Sequence, residues 1–166
     1  HTDDAVKTRS QYIDELKSIE QEIRKISHDL NTDFVSGSSF SDIITTLIET
    51  QTQAYQLSYD YHEDDDIDWD ELSNKTKIHV YRMLQETMQN IYKHANANHI
   101  KISFRLKNNV ILLSVEDDGS GFNTNKARKG IGLKNFDSRA SEIGGKVEIF
   151  SNLGEGTRVV IHVPTE

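Results

Sequence analysis

The 166-residue sequence contains no cysteine and one proline, Pro164. Without cysteine, the protein has no disulfide framework, no thiol nucleophile and no zinc–thiolate site. Because the one proline stands almost at the C-terminal end, no helix elsewhere in the chain is interrupted by proline. No uninterrupted apolar run approaches the roughly eighteen residues that indicate a membrane-spanning helix.

Basic residues are scarce relative to acidic ones, with 19 Lys and Arg against 27 Asp and Glu and a formal net charge of −8. This balance argues against a nucleic-acid partner, which normally requires a basic surplus. The acidity is local, because residues 60–71 hold eight acidic residues and no basic one, whereas residues 73–166 hold 14 basic and 9 acidic residues, a net +5. We expect the acidic run to be a solvated connecting loop between two units with different partners.

The first third of the chain has apolar residues at three- and four-residue intervals, which predict two amphipathic helices separated by a break at Gly37. A helical hairpin is too thin to bury both apolar stripes, so we expect dimerisation into a four-helix bundle. Residues 1–58 are therefore predicted to be a dimerising helical hairpin. The first stripe consists of Val6, Ile13, Leu16, Ile19, Ile23, Ile26 and Leu30. The second consists of Ile43, Ile44, Leu47, Ile48, Ala54, Tyr55 and Leu57.

Residues 59–166 are predicted to form an α+β sandwich, with helices on one face of a mostly antiparallel sheet. A short strand is expected around Tyr59, and a helix is expected to begin at Ser73. The pair Asn108-Asn109 is a favourable two-residue turn, so it predicts a hairpin between the strands on either side of it. The remaining elements are strands 99–107 and 110–116, a helix over 133–143, and strands 146–151 and 157–163.

A first cluster of polar side chains lies on the helix predicted after Ser73. Glu86, Asn90 and Lys93 follow at spacings of four and three, which places them on one helix face, and His94 comes next. A carboxylate, an amide and an ammonium group along one stripe can hold a hydrated cation and the phosphates beside it. The alternative is a solvated helix face with ordinary ion pairs.

Two glycine-rich clusters follow. In Asp117-Asp118-Gly119-Ser120-Gly121, a carboxylate at a strand end can accept a hydrogen bond from an exocyclic amine while the glycines let the backbone approach a ligand. The alternative is a tight surface turn. In Lys129-Gly130-Ile131-Gly132-Leu133, two glycines precede a helix, whose N-terminal N–H groups and dipole favour a phosphate.

In this order and spacing, the three clusters resemble the N box, the Asp-x-Gly-x-Gly box and the Gly-x-Gly box of the GHKL ATPases, the family of histidine kinases, gyrase, Hsp90 and MutL. The hairpin at 154–163 resembles the last hairpin of that family. The resemblance covers about residues 73–163 and implies that ATP binds here, with Mg²⁺ held by Asn90 and Glu86. It also implies that Asp117 binds the adenine amino group. The further ATP-binding residues that it implies are Lys93, His94, Gly119, Gly121, Lys129, Gly130, Gly132, Leu133 and Thr157.

The segment 21–30, which contains His28-Asp29, resembles the phosphoacceptor region of the NarX/DesK-like sensor histidine kinases. That resemblance implies ATP-dependent autophosphorylation of His28, with Asp29 as general base or orienter, and transfer of the phosphoryl group to an aspartate of a response regulator receiver domain. Asp33 stands where this class often has a glutamine implicated in dephosphorylation. Because a carboxylate cannot donate a hydrogen bond to an attacking water, we expect weak or altered phosphatase activity.

Two other functions remain open from the sequence: a serine kinase of the anti-sigma type and a dimeric nucleotide-binding module without kinase activity. The His-Asp helix argues against the first, and the intact boxes argue against the second. Since the chain begins at His1 rather than Met, we expect the cytoplasmic portion of a longer bacterial sensor, attached to a membrane only through upstream segments. We interpret His62, His79, His99 and His162 as surface or edge residues, and Trp69 as a packing anchor.

Overall fold

The computed structural model describes residues 11–25, 39–124 and 131–166. The chain divides into two compact units, His1–Ser39 and Phe40–Glu166. In the first unit, residues 11–25 form one α-helix, α1. Within the described ranges, no helix is long and apolar enough to cross a membrane.

Helix α1 carries the predicted apolar stripe on its surface. Leu16 is 64% exposed, and the stripe residues Ile13, Ile19 and Ile23 are exposed as well. A one-sided stripe that the single chain leaves exposed is what pairing with another helix requires. The other predicted members of this stripe, Val6, Ile26 and Leu30, lie outside the described residues.

In the described part of the second unit, helices cover one face of a five-stranded sheet with strand order β1-β2-β3-β5-β4. Its helices are α2 (Phe40–Tyr55), α3 (Asn74–Asn90) and α4 (Ile131–Glu142), with a 3₁₀ turn at Trp69–Glu71 and a π-helical turn, Ile91–Ala95, directly after α3. Its strands are β1 (Ser58–Glu63), β2 (His99–Lys107), β3 (Val110–Asp117), β4 (Lys146–Ser151) and β5 (Thr157–Pro164). The predicted α+β sandwich is confirmed.

Strand pairing follows the predicted pattern. β1 pairs with β2 in parallel, after a crossover through α3, while the β2–β3, β3–β5 and β4–β5 pairs are antiparallel. Asn108 and Asn109 have φ angles of 51° and 59°. Two successive positive φ angles are typical of a type I′ turn, whose twist matches that of the flanking strands, so the predicted hairpin is confirmed.

The hydrophobic core lies between the helices and one face of the sheet. Alternate residues of β2 and β3 are buried, since successive side chains of a strand point to opposite faces. The fully buried side chains include Phe104 from the sheet and Met83 and Met88 from α3. Burial of each such side chain contributes about 1.5–3 kcal/mol, so this interface fixes α3 against the sheet.

Helix α2 belongs to the second unit, and this differs from the predicted division after residue 58. Ile44, Leu47 and Ile48 are buried within Phe40–Glu166. The ring of Phe40, which the sequence pattern missed, packs edge-on against Trp69 with 4.8 Å between centroids. An apolar stripe has the same spacing whether it meets another chain or its own sheet layer, so sequence could not decide which one covers it.

The acidic run is only partly a loop, because its first four residues lie in β1 and its last three form the 3₁₀ turn. Glu63 accepts hydrogen bonds from Ser41 at 2.6 Å, Tyr61 at 2.7 Å and the Trp69 indole at 3.0 Å. The expectation of a purely solvated connector is therefore wrong at Glu63, which joins α2 to the sheet edge. Trp69 is buried and is the packing anchor that the sequence predicted.

Candidate functional site

The first element of the site is α3 with the π-helical turn that extends it. Ser73 caps the N-terminus of α3 by accepting a hydrogen bond from the Thr76 N–H. At the other end, the regular helix gives way to the π-helical turn, which ends at Asn96 in a left-handed conformation, with φ 50°. Single π-helical turns are frequent at functional sites, and this one contains Lys93 and His94, both exposed.

Glu86 and Asn90 lie one turn apart on α3, as predicted. The carboxylate of Glu86 is 3.7 Å from Arg139 of α4. Burial raises the pKa of Glu86, while the positive charges of Arg139 and Arg82 act in the opposite direction. Asn90 makes no side-chain capping bond to the turn that follows it. Carboxylate and amide oxygens at this spacing fit the ligand preference of Mg²⁺.

Asp117 ends strand β3 with its side chain only 5% exposed. Its Oδ1 accepts the Gly119 N–H at 2.8 Å, and the backbone N–H of Thr157 also donates to the carboxylate. Burial is the main cause that raises the pKa of Asp117, and the two N–H donors lower it. A buried carboxylate in a fixed orientation is suited to accept a hydrogen bond from a planar donor.

The loop after Asp117 packs directly against the end of the π-helical turn. The Ala95 carbonyl accepts hydrogen bonds from the Ser120 N–H at 2.7 Å and from the Ser120 hydroxyl at 3.1 Å. A Cβ atom on Gly119 would overlap that carbonyl oxygen, so only glycine permits this approach. The structure therefore brings together the first two predicted clusters.

Thr157, at the start of β5, lies opposite Asp117 in the antiparallel ladder. The preceding Gly156 has φ 77°, and a Cβ atom there would overlap the Asp117 carbonyl oxygen. Cross-strand partners share one face of a sheet, so the Thr157 and Asp117 side chains are neighbours. The predicted contribution of the last hairpin to the site agrees with this placement.

Sequence reasoning missed Ser151, a buried residue at the end of β4. Its Oγ accepts the Phe122 N–H at 2.8 Å, donates to the Gly156 carbonyl at 3.1 Å and lies 2.7 Å from the Thr157 hydroxyl. A lone serine at a strand end carries no motif signal. Only the register of β4 and β5, which pairs Ser151 with Thr157, reveals its position.

The third cluster is described only in part. Gly132 and Leu133 lie in the first turn of α4, which begins at Ile131, two residues before the predicted start. Lys129 and Gly130 lie outside the described residues. His28, Asp29 and Asp33 of the first unit also lie outside them, so their roles stay predictions.

Of the histidines interpreted as surface residues, His79 is different. Its side chain is only 15% exposed, and its Nε2 lies 3.1 Å from Glu142 of α4. The interpretation as a surface residue is therefore wrong for His79. With the Glu86–Arg139 pair, this contact links α3 to α4 at two points seven residues apart on α3.

Comparison with known proteins agrees with the fold. The chain is 35% identical over 104 residues to the sensor histidine kinase LiaS of Bacillus subtilis (strain 168), covering 60% of this chain and 29% of that protein. It is 36% identical over 87 residues to the sensor protein VraS of Staphylococcus aureus (strain COL), covering 52% and 25% respectively. The chain thus spans less than a third of the length of these relatives.

Among solved structures, the histidine kinase domain of the Erythrobacter litoralis EL346 blue-light activated histidine kinase is similar, with a TM-score of 0.66 and 14% identity over 81% of this chain and 69% of that one. The likeness shows the fold, an α/β sandwich. Residues 75–166, more than half of the chain, match the family described as histidine kinase-, DNA gyrase B-, and HSP90-like ATPase. The chain belongs to this family, and membership in an ATPase family implies ATP binding.

Proposed function

We propose that the chain is the catalytic core of a bacterial sensor histidine kinase, which binds Mg²⁺–ATP in the second unit and phosphorylates His28. The observation that carries the proposal is the contact between the loop after Asp117 and the end of the turn that contains Lys93 and His94. The contact supports a site in which Asp117, as the acceptor for the adenine amino group, lies near the helix with the proposed metal and phosphate ligands. The name of one relative, the sensor histidine kinase LiaS, supports the same activity.

In the proposed site, Asp117 accepts a hydrogen bond from the adenine amino group, and Thr157 lies beside it. Gly119 and Gly121 let the backbone approach the base, while Lys93 and His94 face the phosphates. Lys129, Gly130, Gly132 and Leu133 complete the phosphate side at the start of α4, where helix N–H groups favour an anion. Mg²⁺ would be held by Asn90 and Glu86, and it would supply charge neutralisation during phosphoryl transfer.

The proposed chemistry is transfer of the γ-phosphoryl group to a histidine nitrogen. The neutral imidazole of His28 attacks the γ-phosphorus, the bond to the bridging oxygen breaks, and ADP leaves. Asp29 orients the imidazole and takes the proton from its other nitrogen. The enzyme then acts chiefly by positioning and charge neutralisation, as phosphoryl transfer requires.

The proposed partners are a second copy of the chain and a response regulator receiver domain. The exposed apolar residues of α1, including Leu16, support pairing through the first unit. A receiver aspartate would accept the phosphoryl group from His28. We propose the NarX/DesK-like class on the residues around His28, and a cytoplasmic location.

Calorimetric titration with ATP, with and without Mg²⁺, tests the proposed site. We expect Asp117→Asn to weaken ATP binding whether or not Mg²⁺ is present, because it replaces one acceptor oxygen with an amide donor and leaves only a neutral, weaker acceptor for the base. Asn90→Ala should instead abolish most of the increase in ATP affinity that Mg²⁺ produces. Lys101→Ala, an exposed change on β2, is the matched control. Undiminished ATP binding in both site variants would contradict the assignment.

A further inference from the structure

The hydrogen bonds of the buried Ser151 hydroxyl fix the direction of a neighbouring hydrogen. A serine hydroxyl has one hydrogen to donate and two lone pairs that accept. Ser151 donates its hydrogen to the Gly156 carbonyl and accepts the Phe122 N–H. One lone pair is left for its third partner, the Thr157 hydroxyl at 2.7 Å. Thr157 must therefore be the donor in that bond.

The consequence is that Thr157 has no hydroxyl hydrogen left to offer elsewhere. Its remaining lone pairs can only accept. Thr157 lies opposite Asp117 on the same sheet face, and the Asp117 carboxylate also only accepts hydrogen bonds. The two side chains thus present acceptors alone to a ligand that approaches this end of β3.

We propose that Ser151 is a specificity-determining residue, which makes the base pocket select a 6-amino purine over a 6-oxo purine by holding the Thr157 hydroxyl hydrogen away from the ligand. A 6-amino group offers N–H donors to the two acceptors, whereas a 6-oxo group places an acceptor against them. Ser151 acts through Thr157 and is a positioning residue rather than a catalytic one. This inference rests on the proposed ATP site at Asp117.

Loss of the Ser151 hydroxyl would release the Thr157 hydrogen. Thr157 could then rotate its hydroxyl and donate to a 6-oxo group, while Asp117 stays unchanged. The free-energy cost of binding a 6-oxo purine would then fall, because its oxygen would no longer be buried without a donor. Leaving a buried polar group unpaired costs more free energy than one hydrogen bond contributes. The expected effect is a change in the ratio of the affinities for the 6-amino and 6-oxo nucleotides. A purely structural loss would leave that ratio unchanged.

Titration of the chain with ATP and with inosine triphosphate, both with Mg²⁺, tests the proposal. We expect the ratio of the two affinities to fall about fivefold or more in Ser151→Ala, in line with the loss of one hydrogen-bond preference. Ser151→Thr, which keeps a hydroxyl, should retain the wild-type ratio. Ser114→Ala, on the opposite face of the sheet, is the control. If Ser151→Ala does not fold, Ser151→Cys, with a weaker donor and acceptor, should show a smaller fall in the same ratio.

The outcomes distinguish a failure of the proposed role of Ser151 from a failure of the proposed ATP site. A wild-type chain that binds neither nucleotide would overturn the ATP site itself. A wild-type chain that prefers ATP, together with a folded Ser151→Ala or Ser151→Cys variant that weakens both affinities equally, would leave the ATP site intact and overturn the role of Ser151.

Discussion

The guanidinium of Arg139 on α4 lies 3.7 Å from the carboxylate of Glu86 on α3, and only 27% of each side chain is exposed. This ion pair connects α4, which begins within the third cluster, to α3, which carries the first cluster. Because Glu86 is half-buried, loss of its partner leaves a charge that water compensates only partly.

We therefore expect Arg139→Gln to lower the free energy of unfolding by about 1 kcal/mol or more. The matched control is Lys146→Gln, which breaks the exposed Lys146–Glu148 pair at 3.5 Å and should cost close to nothing. Urea unfolding of both variants measures the difference. Equal losses would show that the Glu86–Arg139 pair has no special weight.

A second prediction concerns the pH dependence of nucleotide binding. Burial raises the pKa of Asp117, so its carboxylate takes up a proton at a higher pH than an exposed aspartate does. A protonated Asp117 is a poorer acceptor for an amino group, and ATP affinity should fall as the pH drops through this raised pKa. Asp117→Asn should lose this fall in ATP affinity at low pH. ATP itself also titrates, but its titration affects the wild type and the variant equally, so it cancels in the difference between their pH profiles. Parallel profiles would contradict the role of Asp117.

A third prediction links His79 to stability. Burial lowers the pKa of His79 below its ordinary value of 6.5, although Glu142 acts in the opposite direction. As the pH falls, His79 therefore binds a proton in the unfolded chain before it does in the folded chain. The stabilising contribution is complete above pH 6.5 and is lost as the pH falls through the lower, folded-state pKa. His79→Gln should lose less stability than the wild type between pH 7.5 and 5.5, measured by urea unfolding. An identical loss in both proteins would count against this account.

A fourth prediction compares two glycines with positive φ. Gly121 has φ 63°, and a Cβ atom there would overlap the Asn152 carbonyl, whereas Gly154, with φ 81°, has open space around it. Gly154→Ala should cost about 1 kcal/mol of stability, from the left-handed backbone alone. Gly121→Ala should cost more than about 3 kcal/mol and should weaken ATP binding, because the loop has to move. Thermal unfolding measures both, and similar costs would show that the close approach at Gly121 is unimportant.

Much of the second unit could be predicted from local signals. Asn108-Asn109 predicted its hairpin because a type I′ turn demands residues that tolerate positive φ. Ser73 predicted the start of α3 because its side chain satisfies a helix N–H. Asp117 and Gly119 could be found because a ligand-binding strand end needs a carboxylate and a residue without a side chain at a fixed spacing.

What the sequence missed depends on contacts between distant segments. The burial of α2 within the second unit includes the contact of Phe40 with Trp69, and no periodicity encodes that contact. The sequence predicts a solvated run at Glu63 because the three hydrogen-bond partners of Glu63 come together only in the folded chain. Ser151 escaped notice for the same reason, since its role comes from the register between β4 and β5.

The activity proposed for the chain is transfer of the γ-phosphoryl group of ATP to His28. The most direct measurement is incubation of the chain with γ-labelled ATP and Mg²⁺, followed by acid and base treatment of the labelled protein. We expect a label that is lost in acid, retained in base, and absent from both His28→Gln and Asn90→Ala. Acid-stable label on a supplied protein substrate would point instead to a serine kinase. ATP binding without any label, or label that persists in His28→Gln, would contradict the claim.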